Sequence, residues 1–333
     1  MAVGAGSDGV SAAFISALRT AAAFVGARIL TGADVASCFV DPEGDRYALA
    51  NWLAGIEREH DLVICVADPS LTPWTQSALR SADQLLLVAD GSADALSQVE
   101  SFAFGFFPPA RRRLLRVHVR RTGAVEATSR WLRLREAEVT HHLALEDAAD
   151  FLSLMRFLGG RAIGFVGSGG GAFGPAHVGI FKALRESGVA IDFFGGSSIG
   201  AAMTAAFSLL LSPEEIEARM HDIFVHSRAL KRWTLPYYGL LDHIALDDAL
   251  RRHYGEVLIE DLWKPYFAVA TDLSTFSPRV LRTGKLWQAV RASCAIPGVL
   301  PPFFDDEGHM LVDGGVADNV PVEFMNSLKP DRT

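Results

Sequence analysis

Cysteine is scarce in this chain: Cys38, Cys65 and Cys294 are scattered over 333 residues and lack metal-ligand spacing. That pattern excludes a disulfide scaffold and a cysteine zinc site, and it fits a reducing, cytoplasmic compartment. No uninterrupted apolar run reaches the roughly 20 residues that cross a bilayer. The most apolar N-terminal piece, VSAAFISALRTAAAFVGARIL, is broken by Arg19 and Arg28. It reads as an Ala-rich helix leading into a strand, not as a signal peptide. A basic block is missing too. The 31 Lys and Arg stand against 39 Asp and Glu, a net charge of -8, which leaves no footprint for nucleic acid and no polybasic anchor. Neither solenoid repeats nor low-complexity tracts occur.

What is present is apolar bulk. Half of the positions are hydrophobic, enough to bury one large core or two ordinary ones, and two domains is the better expectation. From Asp61, DLVICVAD, LTPWTQSALRSA and QLLLVAD alternate apolar runs with a helical pattern, the grammar of βαβ units in a parallel sheet. The first domain, residues 1–140, is therefore expected to be Rossmann-like. None of these strands is followed by a glycine-rich phosphate loop, so a structural or regulatory role is expected of it. The basic stretch Arg111 to Arg121 is expected to form a strand with one solvated face. Residues 141–160, HHLALEDAADFLSLMRFLGG, have apolar spacing that predicts a linker helix capped by Gly159-Gly160.

The second half, 161–333, restarts the alternation. AIGFVGS reads as a strand, PAHVGIFKALRESG as a helix, IDFFGGS as a strand and IGAAMTAAFSLLL as a helix. Ser212-Pro213-Glu214-Glu215 predicts a capped helix start. Within FVGSGGGAFGPAHVGIFKAL, Gly169, Gly171 and Gly174 satisfy G-x-G-x-x-G, and Asp192 lies about twenty residues on, as in a dinucleotide fingerprint. Asp192, however, precedes its strand, whereas a ribose-binding acid must stand at the strand's carboxyl end. A nucleotide-triphosphate loop fails as well, because no Gly-Lys-Ser/Thr follows.

The second strand instead ends in GGSSIG, which contains G-x-S-x-G as Gly196-Ser197-Ser198-Ile199-Gly200. A nucleophilic serine on a strained strand-to-helix turn requires small neighbours, because side chains there would strike adjacent backbone. Further on, LVDGGVADNVP delivers Asp313 into Gly314-Gly315, which by itself is also an ordinary turn.

Taken together, GSGGGAFG, HVGIFKALRESGV, GGSSIGA and VDGGVADNVPV closely resemble the patatin-like phospholipase family. The similarity extends through ATDLSTFSPRVLRTGKLWQAVRASCAIPGVLPPFFDDEGHM. The upstream ADPSLTPWTQSALRSADQLLLVAD resembles the region before the catalytic domain in the neuropathy target esterase branch and its bacterial relatives. The resemblance implies an α/β fold: a Rossmann-like parallel-sheet domain followed by a patatin-like α/β sandwich that is C-terminally short, stopping twenty residues after Asp313. It implies a serine ester hydrolase acting on lysophospholipids or phospholipids, with Ser198 as nucleophile and Asp313 as its base. Backbone amides of Gly169, Gly170 and Gly171 would form the oxyanion hole, with Gly174, Gly196, Gly200, Gly314 and Gly315 as supporting glycines.

A Ser-Asp dyad needs no metal or organic cofactor. The implied partners are a lipid ester and, peripherally, a membrane; nucleic acid is not among them, and oligomeric state is not legible. No histidine follows Asp313, so the α/β-hydrolase order cannot be completed with it. His177 is expected to be structural, and His221, His226, His243, His253 and His309 remain formal candidates for a base. Phe173 stands where the family commonly carries a cation. The aromatic stretch Trp233 to Leu246 is expected to pack as core or lid. Two alternatives stay open: a catalytically silent patatin-like scaffold and, more remotely, a nucleotide-binding Rossmann protein.

Overall fold

In the computed structural model, residues 1–6, 9–38, 46–90, 95–121, 125–227, 230–235 and 237–328 are described. The chain divides into two compact units between Ala162 and Ile163.

The first unit contains strands β1 (Ala2–Gly4), β2 (Arg28–Leu30), β3 (Val63–Cys65), β4 (Leu85–Ala89), β5 (Arg112–His118) and β6 (Val139–Ala144). Its helices are α1 (Ala12–Val25), α2 (Gly32–Cys38), α3 (Arg46–Glu59), α4 (Pro73–Ser81), α5 (Gln98–Ala103), α6 (Thr128–Leu134) and α7 (Ala148–Leu158). β1, β4, β5 and β6 form a parallel sheet in that order, and β2 and β3 pair in parallel beside it. An Ala2–Val66 bridge links the two. The parallel sheet expected from the apolar runs is there, and its core includes Leu30, Leu49, Trp74, Leu85, Leu87 and Phe107.

Three features differ from the sequence reading. First, β1 is a strand that the reading did not find, and it leads to α1 through a turn bearing Gly4, Gly6 and Gly9. This crossing stands where a phosphate loop would, yet two of its described amides go to protein carboxylates: Gly6 N–H donates to Glu100 Oε2 (3.0 Å) and Ser11 N–H to Asp90 Oδ2 (3.3 Å). Second, the predicted linker helix 141–160 begins as strand. Residues to Ala144 complete β6 against β5, and only α7 is helical, with Phe151 against Phe14 of α1 (ring centroids 5.7 Å). Helical spacing in this stretch carried across a strand because His141, His142, Leu143 and Ala144 of β6 are buried, and periodicity alone does not separate a short buried strand from a buried helix. Third, β5 has no solvated face. Arg113 is buried, Arg112 lies over the Phe104 ring and Arg116 over that of Trp131. Aromatic faces receive the guanidinium groups while the aliphatic stems pack.

The second unit contains β7 (Gly164–Gly167), β8 (Phe193–Ser197), β9 (Tyr266–Asp272), β10 (Ser277–Leu281), β11 (Phe303–Phe304) and β12 (Met310–Asp313). Its helices are α8 (Gly174–Glu186), α9 (Ile199–Ser208), α10 (Pro213–His221), α11 (Ile244–Tyr254), α12 (Leu286–Ser293) and α13 (Val322–Leu328). β7, β8 and β9 are parallel; β10 and β12 pair antiparallel with β9, and β11 with β12. Phe165 of β7, Phe181 of α8, Phe194 of β8 and Phe207 of α9 form one ring cluster, with Phe181 stacked on Phe207 at 4.0 Å. That cluster packs β7, β8, α8 and α9 together. The predicted capping box of α10 is formed, with Ser212 and Glu215 exchanging bonds.

Candidate active site

Two strand ends meet on one edge of β9. β10 opposes residues 268–272 of β9 and so occupies one edge. β8 runs up the other edge until Ser197 faces Val269, and β12 runs down it until Asp313 faces Ala270. The residue after Ser197 is thereby delivered to the end of β12. Ser198 Oγ donates to Asp313 Oδ2 at 2.5 Å, across 115 positions of sequence.

Ser198 sits between β8 and α9 at φ 53° and ψ -129°. This is sparsely populated backbone for a residue with a Cβ, of the sort that costs on the order of 1–3 kcal/mol and is held by its surroundings. The crossing is tight: a Cβ on Gly196 or Gly200 would run into the Gly167 carbonyl, and one on Gly314 into the Val269 carbonyl and the Ser197 hydroxyl. The small neighbours that the serine motif predicts are thus required by close backbone approach. Its amide donates to Ser293 Oγ at 2.8 Å.

Asp313 is buried, and among the described residues no cation is paired with it. Its Oδ1 accepts from Gly315 N–H (2.8 Å) and its own N–H donates to the Ala295 carbonyl (2.9 Å). Thr271 Oγ1 donates to its carbonyl at 2.9 Å. Burial pushes the Asp313 carboxyl above the usual carboxylate range, opposed by the bonds from Ser198 and Gly315. A carboxylate so placed is a stronger base than one in water.

The glycine loop lies against the nucleophile. A Cβ on Gly169 would stand 3.3 Å from Ser198 Cβ. The three expected oxyanion donors are not equivalent, because Gly169 N–H already donates to the Asn319 carbonyl at 3.2 Å. Gly170 and Gly171 have no acceptor for their amides among the described residues. Gly171 takes φ 54°, which favours glycine, and Gly174 opens α8 against Ile199. Phe173 is 78% exposed, so the position that commonly bears a cation faces solvent here.

The other candidates lie elsewhere. Asp192 is buried at the start of β8 and accepts from Ile163 N–H at 2.9 Å, so it cannot reach a ligand at the strand's far end. His177 Nδ1 bonds the Gly174 carbonyl within its own helix. His253 pairs with Asp222 (2.8 Å) and His309 with Asp272 (2.6 Å). His226 approaches Asp222, His243 approaches Asp247, and His221 packs edge-on against His226. None bonds Ser198 or Asp313. Among the described residues no group of acidic, His and Cys side chains is arranged to hold a metal. The sequence reading missed Ser293, Thr271 and Asn319, since single polar residues in a helix end, a strand and a turn carry no local signal. The stretch from Trp233 also departs from expectation. Leu241 and Leu246 enter the core, but Trp233, Leu235, Tyr237 and Tyr238 are each more than 70% exposed.

Similarity to known proteins extends over both units. Residues 165–325 match the family described as Patatin-like phospholipase, and residues 27–157 the Neuropathy Target Esterase family P-loop like domain. Patatin-like phospholipase domain-containing protein 7 of Rattus norvegicus is 34% identical over 314 residues, 85% of this chain and 23% of that protein. Neuropathy target esterase sws of Drosophila melanogaster is 31% identical over 320 residues, 85% of this chain and 22% of its own. VipD from Legionella pneumophila, a solved structure, aligns with a TM-score of 0.34 at 17% identity, over 48% of this chain and 47% of that chain. The chain spans less than a quarter of the length of these two curated relatives. With both units matched, in order, by the two parts of one family, this chain belongs to the patatin-like phospholipases, in their neuropathy target esterase branch.

Proposed function

We propose that this chain is a serine esterase that cleaves lysophospholipids or phospholipids through an acyl-enzyme on Ser198. The observation that carries the reading is the 2.5 Å bond from a strained serine hydroxyl to a buried carboxylate that has no paired cation among the described residues. As Ser198 Oγ attacks the ester carbonyl carbon, its proton passes to Asp313 Oδ2. The carbonyl oxygen gains charge and accepts from the Gly170 and Gly171 amides, with the N-terminus of α8 behind them. Collapse breaks the bond to the alcohol, which leaves with the proton from Asp313. Water then attacks the acyl carbon, gives a proton to Asp313, and the fatty acid departs as Ser198 is reprotonated. A tagged fluorophosphonate is expected to label the wild-type chain and not Ser198→Ala; equal labelling of both would overturn the assignment.

A lipid substrate is supported by the exposed run at Trp233, Leu235, Tyr237 and Tyr238, preceded by Lys231 and Arg232. Aromatic and basic side chains together suit the boundary between headgroups and acyl chains. Backbone bonds from Leu240 to Gly298 and Leu241 to Val299 tie this run to the segment after Ala295, whose carbonyl holds Asp313. Flotation with phosphatidylcholine liposomes is expected to carry the wild-type chain, and Trp233→Ala with Tyr238→Ala to weaken it. Hydrolysis confined to short soluble esters, without flotation, would favour a general esterase.

A further inference from the structure

Where β8 ends, the backbone of Ser198 leaves the strand ladder, and the two sides of this residue are held differently. On the carboxyl side its carbonyl accepts from Ala201 N–H (2.9 Å) and Ala202 N–H (3.3 Å), the first turn of α9. On the amino side its N–H meets one acceptor, Ser293 Oγ, at 2.8 Å. That hydroxyl in turn donates to the Val269 carbonyl at 2.5 Å, and Val269 is the residue of β9 that faces Ser197. Ser293 is the last residue of α12 and fully buried. One oxygen therefore satisfies two backbone groups that the end of β8 leaves over.

Two residues later in the same turn, the Ala295 carbonyl accepts from Asp313 N–H at 2.9 Å. The turn at the end of α12 thus grips the amides of both Ser198 and Asp313. We propose that Ser293 is a positioning residue that holds Ser198 in its strained conformation and so fixes the aim of Oγ at Asp313 and at the substrate carbonyl. Without the hydroxyl, the amide of Ser198 and the carbonyl of Val269 lose their partner. The φ of 53° is then free to relax toward common backbone, swinging Oγ away from Asp313. This inference rests on the reading of Ser198 as the nucleophile.

The test is hydrolysis of p-nitrophenyl butyrate and the rate of fluorophosphonate labelling, both per folded molecule. Ser293→Ala is expected to lower kcat by about 10- to 100-fold with KM changed by less than about twofold, as for a small misplacement of a reacting group. Ser293→Thr, which keeps the hydroxyl, is expected to stay within about threefold of wild type, and Ser293→Cys, a longer and weaker acceptor, to fall by at least about 10-fold. Ser208→Ala serves as control. Its hydroxyl is as deeply buried and bonds only the Thr204 carbonyl, so kcat should hold even where thermal stability drops. Full labelling rates in Ser293→Ala, or equal activity in the Thr and Cys variants, would overturn the role of Ser293. Failure of the wild-type chain to label would instead remove the nucleophile assignment itself, so the two failures are distinguishable.

Discussion

The first unit buries Glu100 and Arg135 completely and leaves neither charge alone. Arg135 Nε reaches Glu100 Oε1 at 2.5 Å, Oε2 accepts from Ser97 N–H (2.8 Å) and Gly6 N–H (3.0 Å), and Arg135 Nη2 donates to the Ala95 carbonyl (2.6 Å). The second unit buries Asp313 beside a strained serine and, among the described residues, gives it no counter-charge and leaves two loop amides without an acceptor. Both are glycine-bearing crossings from a parallel strand to a helix. In one, carboxylates of the chain accept from the amides of Gly6 and Ser11. In the other, the amides of Gly170 and Gly171 have no acceptor among the described residues, which suits the role proposed for them. Saturated buried polar groups hold a fold together, whereas strain and unmet hydrogen bonds mark the place where chemistry is done.

The comparison can be broken at either end. Replacing the base has the largest expected effect: Asp313→Asn should lower ester hydrolysis by about 10²- to 10⁴-fold, the usual contribution of a general base. Its melting temperature should hold or rise, because an uncompensated buried charge has been removed. In the wild-type chain the acid limb of kcat/KM should lie above the ordinary Asp value of about 3.9, with activity lost as pH falls through the raised carboxyl. A limb at or below that value would show that burial does not tune this group.

The reverse outcome is expected of the first unit. Glu100→Ala leaves Arg135 buried without its counter-ion and should cost about 3–5 kcal/mol in urea unfolding. Its kcat per folded molecule should stay at the wild-type level. A stable Glu100→Ala chain with impaired turnover would erase the distinction between the closed network and the open one.

The smallest effect concerns a closed pair within the second unit, His309 and Asp272. The Asp272 bond raises the His309 pKa, and the His309 bond holds Asp272 down to about 2. The raised histidine stabilises the fold fully below its unfolded value of about 6.5, and that contribution is lost as pH rises through the higher folded value. The depressed aspartate contributes above about 3.9 and loses its contribution as pH falls toward its folded value. Melting temperature should therefore drop modestly between pH 6 and pH 9, a slope that His309→Ala should flatten. Unchanged turnover in that variant would confirm that this histidine stands outside the dyad.

Much of the second unit was legible because its chemistry demands rare local patterns. A strained serine needs glycine on both sides, and an acid held by backbone amides needs a glycine turn after it. The parallel sheet of the first unit was legible from its doubly buried apolar runs. β1 was not, being three residues long and lacking any periodicity of its own. The helix expected from His141 failed because periodicity alone does not separate a short buried strand from a buried helix segment. The solvated face expected of β5 failed because arginine over an aromatic ring is invisible to a charge count. The aromatic run from Trp233 was expected to be packed, yet only the residues from Leu241 onward find core neighbours.

By itself the sequence singled out Ser198 and Asp313 as candidates, and the glycines that alone can stand where backbones nearly touch, since those constraints act over a few residues. Tertiary structure decided that the two groups meet. β8 and β12 reach the same edge of β9 from opposite directions and stop at adjoining positions, a coincidence set by sheet pairing. It also decided that Asn319 takes the amide of Gly169 and leaves those of Gly170 and Gly171, and that a serine at the end of α12 accepts from the amide of Ser198. Hydrogen bonds between residues about a hundred or more positions apart leave no trace in local spacing.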